Sequence, residues 1–218
     1  PHNPTGYLMS QADWAELVAL SQQRGFILFS DEVYRGLEYD PDDRLPALVE
    51  VDERGVSLGV MSKSYGLAGL RIGWIATRDD MLLRRLAAFK DYTTICNSAP
   101  SEFLATLALR HGEELVARNL EIIQHNLALL DAFFARHGDT FRWVRPRAGP
   151  IAFPALHEGD ADAFCEDVLT EAGVLLLPGS VYGALWPRHF RIGFGRLDAP
   201  YALERLETYL ERRRRESR

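Results

Sequence analysis

"VSLGVMSKSYGLAGLRIGWIA" runs from Val56 to Ala76, and its reading decides the fold. Val56 to Met61 predicts a strand that ends at Ser62-Lys63, and Ile72 to Ala76 predicts another. The turn between them holds Gly66 and Gly69, with Gly73 just beyond, and glycine allows close backbone approach. Upstream, "FILFS", Phe26 to Ser30, is apolar and bounded by Gly25 and Asp31. It predicts a buried strand with Asp31 at its carboxyl end. Helices are expected before and after these strands, from Ser10 to Gly25 and from about Asp80 to Asp91. Strands alternating with helices predict the α/β class, a mostly parallel sheet with helices on both faces. In such sheets the ligand site lies beyond the carboxyl ends of the strands. Asp31 and Lys63 both fall there.

The helix ends are written in the sequence. Ser10-Gln11-Ala12-Asp13 reads as a capping box, and Gly25 as a C-terminal stop. From Ser101 the pattern is helical, interrupted by Gly112. Val116, Leu120, Ile123, Leu127, Leu130 and Phe134 then form an apolar stripe that ends before Gly138, the mark of an amphipathic helix. At 1.5 Å per residue such a helix is about 37 Å long, enough to join two domains. Beyond it the chain predicts a small α+β unit. Strands are expected at Ile151 to Phe153, Val174 to Leu177 and His189 to Phe194. Helices are expected at Asp160 to Ala172 and Ala199 to Arg212, the last with Asp198 as cap. The expected organisation is a partial large domain over 1–112, a connecting helix over 113–138 and a small domain over 139–218.

Composition narrows the function. The formal net charge of -6 argues against a nucleic-acid footprint. The Arg212 to Arg215 run reads as a solvated tail. No apolar run approaches the ~18 residues of a membrane span, and no signal peptide is visible. Cys96 and Cys165 lack metal-like spacing. A reduced, cytoplasmic protein is expected. Of 25 basic residues, only Lys63 and Lys90 are lysine. Arginine stays charged in proteins, whereas a desolvated lysine can lose its proton. A lysine kept at position 63 therefore suggests a neutral amine, although one of two lysines could fall there by chance.

Four segments could carry chemistry. "PHNPTG", Pro1 to Gly6, predicts a rigid turn. "SDEVYRG", Ser30 to Gly36, puts Asp31 and Tyr34 within reach of one site, though such an aspartate is often only a cap or turn residue. "SKSYGLAGLR" offers Lys63 as a nucleophile and Arg71 as a planar fork for phosphate or carboxylate. In "HFRIGFGR", His189 to Arg196, Phe190, Ile192 and Phe194 alternate, so Arg191 points to the opposite face. It needs an anionic partner there, either a ligand or a protein carboxylate. Combined, these are partners for pyridoxal phosphate and an amino acid. A lysine can form a Schiff base, a carboxylate can pair with the pyridinium nitrogen, and the arginines can take phosphate and carboxylate.

In their order and spacing, these segments resemble the fold-type I, class I/II aminotransferases that use pyridoxal 5'-phosphate. The likeness covers Pro1 to Arg196. "FKDYTTICNSAPSEFLA", Phe89 to Ala105, adds a likeness to the subgroup of capreomycidine-synthase-like enzymes. The resemblance implies that Lys63 forms the Schiff base and then shuttles the proton. It implies that Asp31 holds the pyridine nitrogen protonated, and that Asn3 and Tyr34 bond the ring oxygen. Arg71 would bind the phosphate, and Arg191 the substrate carboxylate. "LPGSVYG", Leu177 to Gly183, would be the small-domain loop facing the site. Many relatives carry serine or threonine three residues before the lysine. Here that position is Val60, which leaves Ser62 as a substitute phosphate contact.

The resemblance also implies that these 218 residues are a C-terminal portion. The family's N-terminal half supplies a phosphate loop, a ring stacked on the cofactor and part of the neighbouring subunit's site. The expected function is transfer of an amino group between an amino acid and a 2-oxo acid, by a homodimer. The same constellation can serve a lyase, cyclase or decarboxylase. A truncated, non-catalytic fragment is a further alternative. A nucleotide-binding domain is disfavoured, because no GxGxxG follows a strand.

Overall fold

The computed structural model describes residues 1–216. The chain forms two compact units. One holds Pro1 and Met9–Asn119, and the other holds His2–Leu8 and the chain from Leu120 onward.

In the first unit, α1 (Gln11–Arg24) starts as expected. The Ser10 hydroxyl accepts the Asp13 N–H at 3.1 Å, and Gly25 ends the helix at φ 74°. Then follow β1 (Phe29–Asp31), α2 (Leu48–Val51), β2 (Val56–Val60), β3 (Gly73–Ala76), α3 (Asp80–Thr93) and α4 (Ala99–Arg110). α5 (Gly112–Arg136) gives its residues up to Asn119 to this unit and the rest to the other.

The sheet order is β1-β2-β3. β1 and β2 are parallel, with Asp31 opposite Leu58. β2 and β3 are antiparallel, with Val60 opposite Gly73. The α/β class holds, and β1–β2 is its parallel pair. The buried strand expected at Phe26 to Ser30 is corrected. β1 begins only at Phe29 and is not buried, since Phe29 is 58% exposed. Among the described residues its strand partner is β2. Apolar side chains along α3 and α4, among them Phe89, Tyr92 and Phe103, are exposed too. Met61, Leu48, Leu37 and Val56 form the core under the β2 turn. Glu32 fastens the end of β1 to this core, its Oε1 accepting from the Ser57 hydroxyl at 2.7 Å and the Leu48 N–H at 2.9 Å.

The second unit contains β4 (Phe141–Arg142), β5 (Ile151–Ala152), β6 (Ala155–Leu156), α6 (Ala161–Ala172), β7 (Leu177–Pro178), β8 (Phe190–Gly193) and α7 (Ala199–Glu216). β4 pairs with β6, and a second sheet has the order β5-β8-β7. Asp160 caps α6, accepting the Ala163 N–H at 3.0 Å, and Gly173 ends it at φ 64°. Phe133, Phe141, Phe190, Phe194, Val168 and Leu206 fill the core.

Three expectations differ here. Residues 2–8 group with this unit rather than with the first. Gly6 shows why: a Cβ there would lie 2.7 Å from Pro146 Cβ and 2.9 Å from the Ile151 carbonyl, at φ +69°. Only glycine fits so close an approach. Among the described residues the Asp198 carboxylate takes no N–H of α7, although its backbone carbonyl accepts the Ala202 N–H at 3.3 Å. Arg196 holds that carboxylate in a fork of 2.9 and 3.1 Å. The arginine run is exposed as expected but is not a tail. It lies within α7, where Arg212 pairs with Glu171, Arg213 with Asp167 at 3.6 Å and Arg214 with Asp139 at 2.6 Å.

α5 and α7 are also tied by charge. Glu207 accepts from Arg136 at 2.9 and 2.5 Å and lies 3.1 Å from the buried His137. These bonds, the one to Arg136 foremost, hold its carboxyl below the ordinary 4.5. The folded state therefore binds fewer protons here than the unfolded chain. The stabilisation is complete above the unfolded value and is lost as pH falls through the lower folded one. Glu207→Gln is expected to flatten the acid limb of the stability–pH curve. Urea midpoints between pH 3 and pH 6 check this, and an unchanged slope contradicts it.

Candidate active site

The first unit gathers five of the residues singled out in the sequence. Asp31 ends β1, and Lys63 stands just past the carboxyl end of β2. Because β1 and β2 are parallel, both lie at the same end of the sheet, where α/β sheets bind ligands. Tyr34 is buried, and its ring centroid is 5.8 Å from Lys63 Nζ. An amine at that distance is drawn to the ring face. Among the described residues no carboxylate pairs with Lys63. Asp31 Oδ1 accepts the Val33 N–H at 3.2 Å, and no side-chain cation pairs with it among the described residues.

The β2–β3 ladder continues into the turn, where the Met61 N–H donates to the Ile72 carbonyl at 3.0 Å. Continuing that register sets Arg71 opposite Ser62. Arg71 adopts φ 55° and donates to the Ala68 carbonyl at 3.2 Å. A left-handed backbone at a non-glycine residue is a costly arrangement that tends to mark functional positions. Ser62 and Arg71 thus occupy facing positions of the continued ladder. Val60 is an apolar ladder residue and offers no hydroxyl.

Asn3 and Arg191 belong to the second unit. Phe190 and Ile192 are buried, while Arg191 is half-buried on the opposite face of β8, as the alternation predicts. Leu177, the first residue of "LPGSVYG", is its partner on β7. Arg191 Nη1 donates to Asn3 Oδ1 over a long 3.4 Å. Among the described residues no carboxylate pairs with Arg191, so the alternative of an internal salt bridge is not realised. His189, two residues along the same face, stacks on Phe153 at 5.0 Å. Partial burial and the neighbouring Arg142 hold its imidazole below the ordinary value. Both causes favour the neutral imidazole.

Residues 1–206 match the family described as aminotransferase class I and II. The chain belongs to that family. Over 195 residues the chain is 32% identical to capreomycidine synthase of Streptomyces vinaceus, covering 89% of the chain and 49% of that protein. A crystal structure of a PLP-dependent aminotransferase from Streptococcus suis is 33% identical, with a TM-score of 0.88 over 97% of this chain and 55% of that one. The PLP-dependent cyclase OrfR is 31% identical, with a TM-score of 0.87 over 98% of this chain and 57% of that one. The chain spans about half the length of the curated relatives it matches.

Pyridoxal phosphate is the cofactor of class I and II aminotransferases. The first unit fits that group. It offers an amine with no ion-pair partner among the described residues, a carboxylate at a strand end, a buried tyrosine ring 5.8 Å from that amine, and Ser62 and Arg71 at facing positions of the ladder.

Sequence reasoning missed Ser64 and Asn119. Ser64 is 2% exposed, and its hydroxyl donates to the Val33 carbonyl at 3.1 Å. Asn119 Nδ2 donates to the Ser64 carbonyl at 3.0 Å. The "SKS" string was the visible signal, but nothing in the helical pattern singles out Asn119.

Proposed function

We propose that the protein is a pyridoxal-phosphate-dependent aminotransferase that moves an amino group between an amino acid and a 2-oxo acid. The observation that carries this reading is the Lys63 amine 5.8 Å from the centroid of the buried Tyr34 ring. When bound, the cofactor supplies an aldehyde that captures amino groups and a ring that takes up the electrons released at Cα. Lys63 Nζ would be its attachment point and, once released by the incoming amino group, would take and return the Cα proton. A neutral amine does this well and a guanidinium cannot. Asp31 holds the proton on the pyridine nitrogen. Tyr34 and Asn3 hydrogen-bond the ring oxygen. Arg71 and Ser62 bind the phosphate, and Arg191 takes the substrate carboxylate through a planar fork.

We propose further that the enzyme acts as a cytoplasmic homodimer. Among the described residues no helix is long and apolar enough to cross a membrane.

Arg191→Lys keeps the charge and loses the fork. A hydrogen bond to a charged group is worth about 1.5–3 kcal/mol. The KM for the amino acid is expected to rise about 10- to 100-fold, with kcat changed less. Steady-state kinetics at varied amino acid concentration check this, and a larger fall in kcat than rise in KM contradicts the assignment.

The likeness to the cyclase OrfR, at a TM-score of 0.87, supports a second reading. The same residues can direct cyclisation or elimination. Assays of the full-length protein with and without a 2-oxo acid separate the two. Turnover that requires the acceptor supports transamination, and turnover without it supports the second reading.

A further inference from the structure

We propose that Ser64 and Asn119 form a clamp that positions Lys63 against Asp31 and Tyr34. This rests on the assignment of Lys63 as the reacting amine. The lysine itself is exposed, and among the described residues no hydrogen bond or ion pair holds its side chain. Its placement must therefore come from the backbone. The turn is fixed at three points. The Gly66 N–H donates to the Lys63 carbonyl at 3.0 Å, and the Leu67 N–H donates to the Met61 carbonyl at 2.9 Å. These two bonds set the shape of the turn but not its place. The third point is Ser64, held from both sides. Its hydroxyl donates to the carbonyl of Val33, which lies between Asp31 and Tyr34. Its own carbonyl accepts from Asn119 on α5.

The Val33 bond therefore joins the segment bearing the carboxylate and the ring to the segment bearing the amine, across 31 residues of chain. The Asn119 bond spans 55 residues and anchors the same turn to a helix. Packing leaves room for this and little else. Gly66 adopts φ +71°, and a Cβ there would lie 2.8 Å from Asn119 Nδ2. Reacting groups must be held within a fraction of an ångström, and a 1 Å misplacement can cost about 100-fold in rate. Ser64 and Asn119 are positioning residues: neither is assigned contact with cofactor or substrate.

The test uses the full-length protein and the variants Ser64→Ala and Asn119→Asp. The aspartate is isosteric and turns the donor at Nδ2 into an acceptor facing the Ser64 carbonyl. It serves as the second variant should Ser64→Ala fail to fold. Two readouts are taken. The first is amide hydrogen exchange of residues 61–67 in the cofactor-free protein, which reports local opening. The second is kcat against KM. The expected result is faster exchange confined to this turn, with kcat lowered by about 10-fold and KM within about twofold. Ser64→Thr keeps the hydroxyl and is expected to restore both. Wild-type exchange and wild-type kcat in the folded variants overturn the proposal. A loss of kcat with exchange raised throughout the first unit also overturns it, because the role is then structural. If borohydride in the presence of pyridoxal phosphate fails to label Lys63 in the unmutated protein, the assignment of Lys63 fails first. If Lys63 is labelled and the variants behave as wild type, the clamp alone fails.

Discussion

Lys63→Ala is expected to lower kcat of the full-length enzyme by about 10⁴-fold, the upper range for removing a general acid–base group. The lost amine serves both as attachment point and as proton carrier, so no neighbour replaces it. Lys90 is the other lysine of this chain, and its amine is held by Thr94 at 3.0 Å and Asn97 at 2.9 Å. Lys63→Arg is expected to be as inactive, because a guanidinium keeps its proton at neutral pH. Neither substitution is expected to unfold the protein. The side chain is exposed, and such changes usually stay within about 0.5 kcal/mol. Thermal melting alongside single-turnover kinetics separates the two effects. Activity within about tenfold of wild type contradicts the assignment of Lys63.

The second large effect is on stability. Phe133 is fully buried and meets Phe134 at 5.1 Å, His137 at 4.7 Å and Phe141 at 6.0 Å between ring centroids. Phe133→Ala removes that ring from a packed cluster and leaves a cavity. Such truncations cost about 3–5 kcal/mol, a large share of a domain's ordinary 5–15 kcal/mol. The damage is expected to reach the site. Phe141 touches Phe190 at 5.8 Å, and Phe190 precedes Arg191 on β8. Urea unfolding of the full-length protein is expected to show the loss, and Phe133→Leu a smaller one. A cost below about 1 kcal/mol contradicts this account of the core.

Local chemistry made much of the fold legible. Ser10, Gly25, Asp160 and Gly173 end helices because each satisfies orphan backbone groups or adopts positive φ, and these signals need only a few residues. The alternation of Phe190, Ile192 and Phe194 likewise fixed the face of Arg191. What failed depended on contacts far along the chain. "FILFS" is apolar enough for a buried strand, but burial is decided by what packs on its faces, and Phe29 is 58% exposed. Residues 2–8 group with the second unit because Gly6 meets Pro146 and Ile151, which no local pattern records. The arginine run is exposed as its charge predicts, but its partners Glu171, Asp167 and Asp139 lie far along the chain. The site shows the same division. Lys63, Asp31 and Arg191 stood out by chemistry and position. Ser64 and Asn119 act through their contacts, and those appear only in the folded chain.

The most direct test of the central claim is chemical. The full-length protein is incubated with pyridoxal phosphate, reduced with borohydride and digested, and the labelled lysine is mapped by mass spectrometry. The account predicts label on Lys63 and none on Lys90. Label on Lys90 alone, equal label on both, or a wild-type pattern in Lys63→Ala contradicts it.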